Sequence, residues 1–328
     1  MSKLDKFRRS PSRFFADSPR PLLRGLGARL GRQLEGPRLH PFLLDPSAAA
    51  ADSSIPLLAP LARAHEARLA ARRRARIVAA GEPLVTVIMA ACDAAETIEA
   101  AIRSILEQRH AALELIVIDD GSEDETPRLV AALAQEDPRV RLERLERRGG
   151  AARARNLGLE RARGEFITFN DADDRSDPQR LERQLAALLA APRAMLCTCN
   201  HQRVQASGRP LRLNGLRVQK SIISMLFRAA PVRARIGYLR PLRISEDADF
   251  YARIKAVFGA EAELRLPQLL YHAAFAPDSL LFSRGRVVCL QPGVYTHRLA
   301  PEEQAELERL HAEHARIARG EQDGYAPA

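Results

Sequence analysis

A chain of 328 residues that is 46% hydrophobic and 28% charged can bury at least one sizeable core, and with no long biased tract and no internal repeat it reads neither as a disordered tail nor as a solenoid. No run of about 18 apolar residues and no apolar segment at the N-terminus supports a spanning helix or a secretory signal, which predicts a cytoplasmic protein. The formal charge is +10, but residues 1–82 hold 16 Lys and Arg against 7 Asp and Glu while the rest hold 35 against 34. The excess therefore sits on an N-terminal arm, a distribution that suits an anionic surface and argues against a nucleic-acid reader.

Within residues 1–35, Phe7, Phe14 and Phe15 accompany the basic residues, and Leu22, Leu26, Leu30 and Leu34 share one helical face. Arg24, Arg29 and Arg32 fall off that stripe, so the helix suits a membrane interface or a protein surface, its own body included. Residues 36–54 read as a Pro/Ala/Ser-rich linker and 56–80 as a helix ending in ARRRAR. At Gly81-Glu82-Pro83 the pattern changes to LVTVIMAA, the β-branched apolar run of a buried parallel strand.

From there strands and helices alternate: strand 84–90, helix 95–108, strand 113–118, helix 124–135, strand 139–144, helix 150–162, strand 165–169. Such alternation predicts an α/β domain with a mostly parallel central sheet, helices on both faces and ligands at the carboxyl ends of the strands. The four cysteines lack paired metal-site spacing. Cys92, Cys197 and Cys289 stand in apolar stretches and are expected as buried thiols.

The strand ends carry the chemistry. The first ends at Ala91-Cys92-Asp93, where Asp93 either caps the next helix or faces a ligand. The second ends in Asp119 and Asp120 before Gly-Ser, and two carboxylates at an apolar strand tip are costly unless solvated, paired or used; one of them can bond a base or ribose, or cap the helix that follows. In GGAARARNLGLERARGEF, Arg155 offers a planar fork of donors that suits phosphate, or a surface ion pair. FITFNDADDRSDP ends a strand in Asp171, Asp173 and Asp174, whose carboxylates can converge on a hard divalent cation or form a plain acidic turn. SEDADFYAR reads locally as an acidic helix start with Ser245 as its cap.

Taken in order, VTVIMAACDAAETIEAAIRSILEQ, ELIVIDDGSEDET, GAARARNLGLERARGEFITFNDADD and GYLRPLRISEDADFYARI resemble the family-2 glycosyltransferases of the GT-A fold, over roughly residues 83–285. The resemblance implies a nucleotide-sugar donor, a UDP-sugar by preference, and a divalent cation, Mn²⁺ or Mg²⁺. It places Ala91, Asp93, Asp120, Arg155, Asn156 and Asp171 around the donor and Asp171 and Asp173 on the metal. Asp247, with Glu246 beside it, falls where the family keeps the base of an inverting single displacement.

Domains implied are an N-terminal extension (1–82), a nucleotide-sugar half (83–190), an acceptor-side half (191–290) and a C-terminal helical tail (291–328). The basic, Phe-rich leader is similar to that of some capsular-polysaccharide assembly enzymes, which implies a glycan or lipid-linked acceptor at the inner face of the membrane. Where many relatives carry an Arg and a His before a PxS turn, this chain has Ala274 and Ala276, with His272 one register away. The altered region leaves an inactive membrane scaffold as one rival reading. A nucleotidyltransferase is the other, although no glycine-rich loop with a lysine follows the first strand.

Overall fold

The computed structural model describes residues 81–242, 245–276 and 285–327; the basic arm, the linker and the helix expected over 56–80 lie outside the described residues. Strands β1 (Val85–Ala91), β2 (Leu113–Asp119), β3 (Val140–Arg144) and β4 (Phe166–Phe169) alternate with helices α1 (Ile98–Leu106), α2 (Thr126–Glu136) and α3 (Ala151–Arg161). These four strands run parallel in the order β3-β2-β1-β4. Every residue of β2 is buried, which is why its sequence does not alternate and is apolar except for Glu114, paired with Arg163, and the terminal Asp119. Helix α1 starts three residues later than its periodicity suggests, because Thr97 and Ile98 both donate to the Ala94 carbonyl and close a turn first.

Beyond β4 the chain adds β5 (Arg175–Ser176), α4 (Arg180–Ala190), β6 (Leu196–Val204), β7 (Arg212–Leu213), β8 (Gln219–Arg228), α5 (Ala229–Ile236), α6 (Glu246–Phe258) and β9 (Glu263–Ala274). The main sheet reaches eight strands in the order β3-β2-β1-β4-β8-β6-β9-β5. In it β8 is antiparallel to β4 and β6, β6 is parallel to β9, and β5 is antiparallel to β9. A separate three-stranded sheet joins β7 to β10 (Gly285–Gln291) and β11 (Val294–Leu299), ahead of α7 (Pro301–Ala318).

Side chains alternate between two cores. Val85, Val87 and Met89 of β1 pack with Ile98, Ile102 and Ile105 of α1 and Leu181 and Leu185 of α4, whereas Ile88 joins Ile167, Phe169, Phe227, Phe250 and Ile254 on the opposite face. Phe169, Phe227 and Phe250 form a ring cluster with centroids 5.4 to 6.3 Å apart, and it presses α6 onto the sheet just below the carboxyl end of β4. Gly158 of α3 lies directly over Ile88, where a Cβ would collide with its side chain, so α3 sits close enough to β1 to bring its own N-terminus to the strand ends.

One expectation changes. Cys197 and Cys199 are buried, but Cys92 and Cys289 are exposed: Cys92 has already left β1 for the loop, and Cys289 lies on a hairpin with an open face. The C-terminal helix α7 keeps most of its residues exposed and docks on α6 along one side. His314 Nε2 lies 2.9 Å from the buried Asp249 carboxylate, Arg240 pairs with Glu313 at 2.8 Å, and Arg253 bonds Asp249 and the Gly324 carbonyl.

Candidate active site

Three loops at the carboxyl ends of β1, β2 and β3 interlock. Asp93 adopts a left-handed backbone (φ 49°) that Asp tolerates better than most residues. Its N–H donates to Ser122 Oγ at 2.9 Å, its carboxylate accepts from the Glu123 N–H at 2.8 Å, and its second oxygen pairs with Arg148. The side chain therefore stitches two loops together; the residue at the cap position of α1 is Thr97. Asp120, 6% exposed, accepts the N–H groups of Gly149 at 2.6 Å and Gly150 at 2.8 Å, one on each oxygen. Its neighbour Asp119 is fully buried, accepts from the Ser122 N–H and pairs with Arg144 at 2.8 Å. The rim of this cleft is thus Ala91–Asp93, Asp120–Ser122 and Arg148–Gly150, with the N-terminus of α3 opening onto it, a favourable end for an anion.

The acidic turn after β4 lies beside that rim. Oxygen atoms of Asp171, Asp173 and Asp174 come within 4.8 Å of one another, an all-oxygen donor set that fits a hard divalent cation. Asp174 accepts from the Ala274 N–H at 2.7 Å and has the phenol of Tyr271 against it; burial, then Asp173 and Asp171, push its carboxyl well above the usual range. Asp173 keeps its tip open to solvent, yet it lies deep enough in the cleft that burial and then Asp171 raise it to about 6. Carboxylates that repel one another this way are what a cation would relieve. Asn170, fully buried, staples the turn: its amide donates to the Asp171 and Asp174 carbonyls and accepts from Ser176 Oγ.

Arg155 joins the turn to the fourth motif. Its guanidinium, 7% exposed, donates to Asp171 Oδ1 at 2.6 Å with one arm and to Glu246 with the other. Burial opposes the charge, but Asp171 and Glu246 more than offset it and hold the group firmly cationic. Aimed at phosphate in the sequence reading, the guanidinium here has two carboxylate partners, which fixes residues 91 positions apart in one place. Asp247 lies near enough to Arg155, Glu246 and Asp171 to feel all three charges. Burial pushes its carboxyl up to about 6, with Glu246 and Asp171 adding to the rise and Arg155 opposing it. Ser245 occupies the cap position of α6, but its side chain makes no capping bond; its backbone is left-handed (φ 62°), and its carbonyl accepts from the Asp249 N–H.

Asn156, expected beside the donor, has its amide occupied at both ends by the Leu239 backbone, at 2.9 Å each, so it ties α3 to the segment that leads into α6. Asn156→Ala leaves the Leu239 groups without partners, and a loss of about 1–3 kcal/mol of stability is expected, read as a lower thermal midpoint; an unchanged midpoint would contradict that role. His272 does not join the acidic cluster. It pairs across the sheet with Arg175 and lies 3.4 Å from Gln202, because strand alternation aims Tyr271 at Asp171 and Asp174 and turns the next residue away. Asn170 and Tyr271 escaped the sequence reading; the one signal was a polar Asn closing the apolar run FITF.

Residues 86–242 match the family model described as glycosyl transferase family 2. Among curated proteins, the chain is 44% identical over 131 residues to succinoglycan biosynthesis protein ExoO of Rhizobium meliloti, covering 40% of this chain and 37% of that one. It is 43% identical over 106 residues to the β-1,3-glucosyltransferase WfgD of Escherichia coli, which acts from UDP-Glc on α-D-GlcNAc-diphosphoundecaprenol (32% and 41% covered). It is 39% identical over 108 residues to the putative teichuronic acid biosynthesis glycosyltransferase TuaG of Bacillus subtilis (33% and 43%). The chain thus spans about two-fifths of the length of these relatives. Among solved structures, S. aureus TarS 1-349 in complex with UDP-GlcNAc superposes with a TM-score of 0.55 at 21% identity, over 70% of this chain and 66% of that one. The mannosyltransferase PcManGT of Pyrobaculum calidifontis, in complex with GDP-Man and Mn²⁺, gives 0.50 at 23% over 62% and 60%. Glu246 and Asp247 lie just past the matched span and rest on the geometry above. The alternating sheet, with its loops and acidic turn at the strand ends, has the GT-A fold, and its residues 86–242 match the glycosyl transferase family 2 model.

Proposed function

We propose that the chain is an active glycosyltransferase, moving a sugar from a nucleotide-sugar, a UDP-sugar by preference, to a glycan or lipid-linked acceptor in surface polysaccharide assembly. The observation that carries this reading is the Arg155 bridge. One guanidinium holds the acidic turn at Asp171 and the start of α6 at Glu246, so a cation site and a candidate base are held near each other. An inactive scaffold gains nothing from that arrangement, and the named relatives in polysaccharide assembly support the choice of acceptor. The excess positive charge of residues 1–82 supports placing the enzyme against an anionic membrane surface.

In this reading Asp120 and the Gly149–Gly150 backbone shape the nucleoside end of the cleft, with Ala91 and Asp93 at its rim. Asp171 and Asp173 would hold the divalent cation, Mn²⁺ or Mg²⁺, which when bound neutralises charge on the diphosphate. Arg155 fixes Asp171 and Glu246. Asp247 accepts the proton of the acceptor hydroxyl as that oxygen attacks the anomeric carbon from the face opposite the leaving group, inverting it.

A base works only when deprotonated. With Asp247 pushed up to about 6, kcat measured at saturating metal is expected to fall about tenfold per pH unit below 6 and to level off above 7. Saturating metal keeps the neighbouring Asp173 ionised, so the limb belongs to Asp247. A profile flat from pH 5 to 8 would remove Asp247 from the role.

A further inference from the structure

Arg203 stands near the carboxyl end of β6, outside every motif that the sequence brings to the site. Its strand runs parallel to β9 in a register that sets Arg203 opposite Ala273 and Val204 opposite Ala274. Its Nη1 donates to the Ala274 carbonyl at 3.1 Å. Asp174's carboxylate accepts the N–H of the same residue at 2.7 Å. The half-buried guanidinium consequently feels Asp174, Asp173 and Asp171 together, charges that counter the unfavourable effect of its burial.

Positions 274 and 276 are alanines here, so this stretch itself sets no cation beside the acidic turn at those positions. The neighbouring strand brings one to within a hydrogen bond of residue 274. We propose that Arg203 binds the diphosphate of the donor, supplying from β6 the positive charge that those positions lack. The proposal rests on the glycosyltransferase reading above. In the transfer, the acceptor oxygen forms its bond to the anomeric carbon, and the bond from that carbon to the β-phosphate oxygen breaks. The bonding pair leaves with the nucleoside diphosphate, which gains one negative charge. A guanidinium fixed beside the cation site by its bond to Ala274 meets that charge as a permanent cation with planar donors, a geometry a lysine does not reproduce.

The alternative role for Arg203 is a counter-ion that only quiets the three carboxylates, and binding measurements separate the two. Calorimetric titration of the full chain with UDP in saturating Mn²⁺, with uridine, and with Mn²⁺ alone is compared between wild type, Arg203→Ala and Arg203→Lys. GDP and guanosine serve as probes where the wild type prefers them. Diphosphate binding predicts that Arg203→Ala weakens the nucleoside diphosphate about 10- to 100-fold. It also predicts unchanged nucleoside affinity and bare Mn²⁺ binding that is unchanged or tighter, since a positive neighbour has gone. Arg203→Lys should fall between wild type and the alanine variant. Equal diphosphate affinity in all three proteins, or parallel loss of nucleoside and diphosphate together, would overturn the proposal. Where the alanine variant melts too low to titrate, Arg203→Lys decides: wild-type affinity for the diphosphate overturns the proposal and a severalfold loss supports it. Failure of the wild type to bind any nucleoside diphosphate would overturn the glycosyltransferase reading, and this inference with it.

Discussion

Asp247→Asn is expected to lower kcat for sugar transfer by about a thousandfold, within the roughly 10²- to 10⁴-fold range of a positioned general base, while the KM for the donor changes by less than about threefold. The substitution keeps the size and polarity of the side chain and removes only its ability to take a proton. Asp247 sits at the second position of α6 and, among the described residues, forms no salt bridge, although the Arg155 charge acts on it. Glu246, by contrast, is clamped by Arg155 and 7% exposed, poorly placed to swing toward an acceptor. A loss of less than tenfold for Asp247→Asn, together with a large loss for Glu246→Gln, would exchange the two assignments.

The second large effect is expected at the acidic turn. Asp173→Asn should abolish detectable divalent-cation binding and reduce donor turnover by about a thousandfold or more. Asp173 is the member of the cluster whose tip is open, whereas Asp171 is shared with Arg155 and Asp174 with the Ala274 N–H. Because a ligand carboxylate must be deprotonated and Asp173 is raised to about 6, wild-type metal affinity should weaken as pH falls through 6 and be independent of pH above 7. Titration calorimetry at pH 5.5 and 7.5 checks both points. Metal affinity that survives Asp173→Asn would place the cation on other ligands.

The parallel half of the fold was legible in the chain because β1, β2 and β4 are mostly apolar runs ending at a carboxylate or an Asn–Asp turn, β3 alternates Val140, Arg141, Leu142 and Glu143, and the helices between them carry apolar stripes. The same reading found the acidic turn and the Glu246–Asp247 pair as separate local signals. It did not show how they meet, since the link is a guanidinium bonding residues far from it in the chain. Asn156 looked like a ligand-facing residue by its place in the motif, yet its amide is satisfied by Leu239, a pairing 83 positions away. Strands β5 to β9 were illegible for a related reason: their pairing switches between parallel and antiparallel and contains register shifts, so neither length nor alternation specifies a neighbour. The hairpin of β10 and β11 was missed because one face is open and its side chains follow no clean period-two pattern.

The most direct test of the account is nucleotide release from a panel of UDP-, GDP-, CMP- and dTDP-sugars by purified full-length protein. It is run with and without Mn²⁺ or Mg²⁺, with membrane extract as acceptor, beside Asp173→Ala and Asp247→Ala. The account predicts metal-dependent release of UDP from one donor and its loss in both variants; absence of turnover with every donor, or release that survives both substitutions, would contradict it.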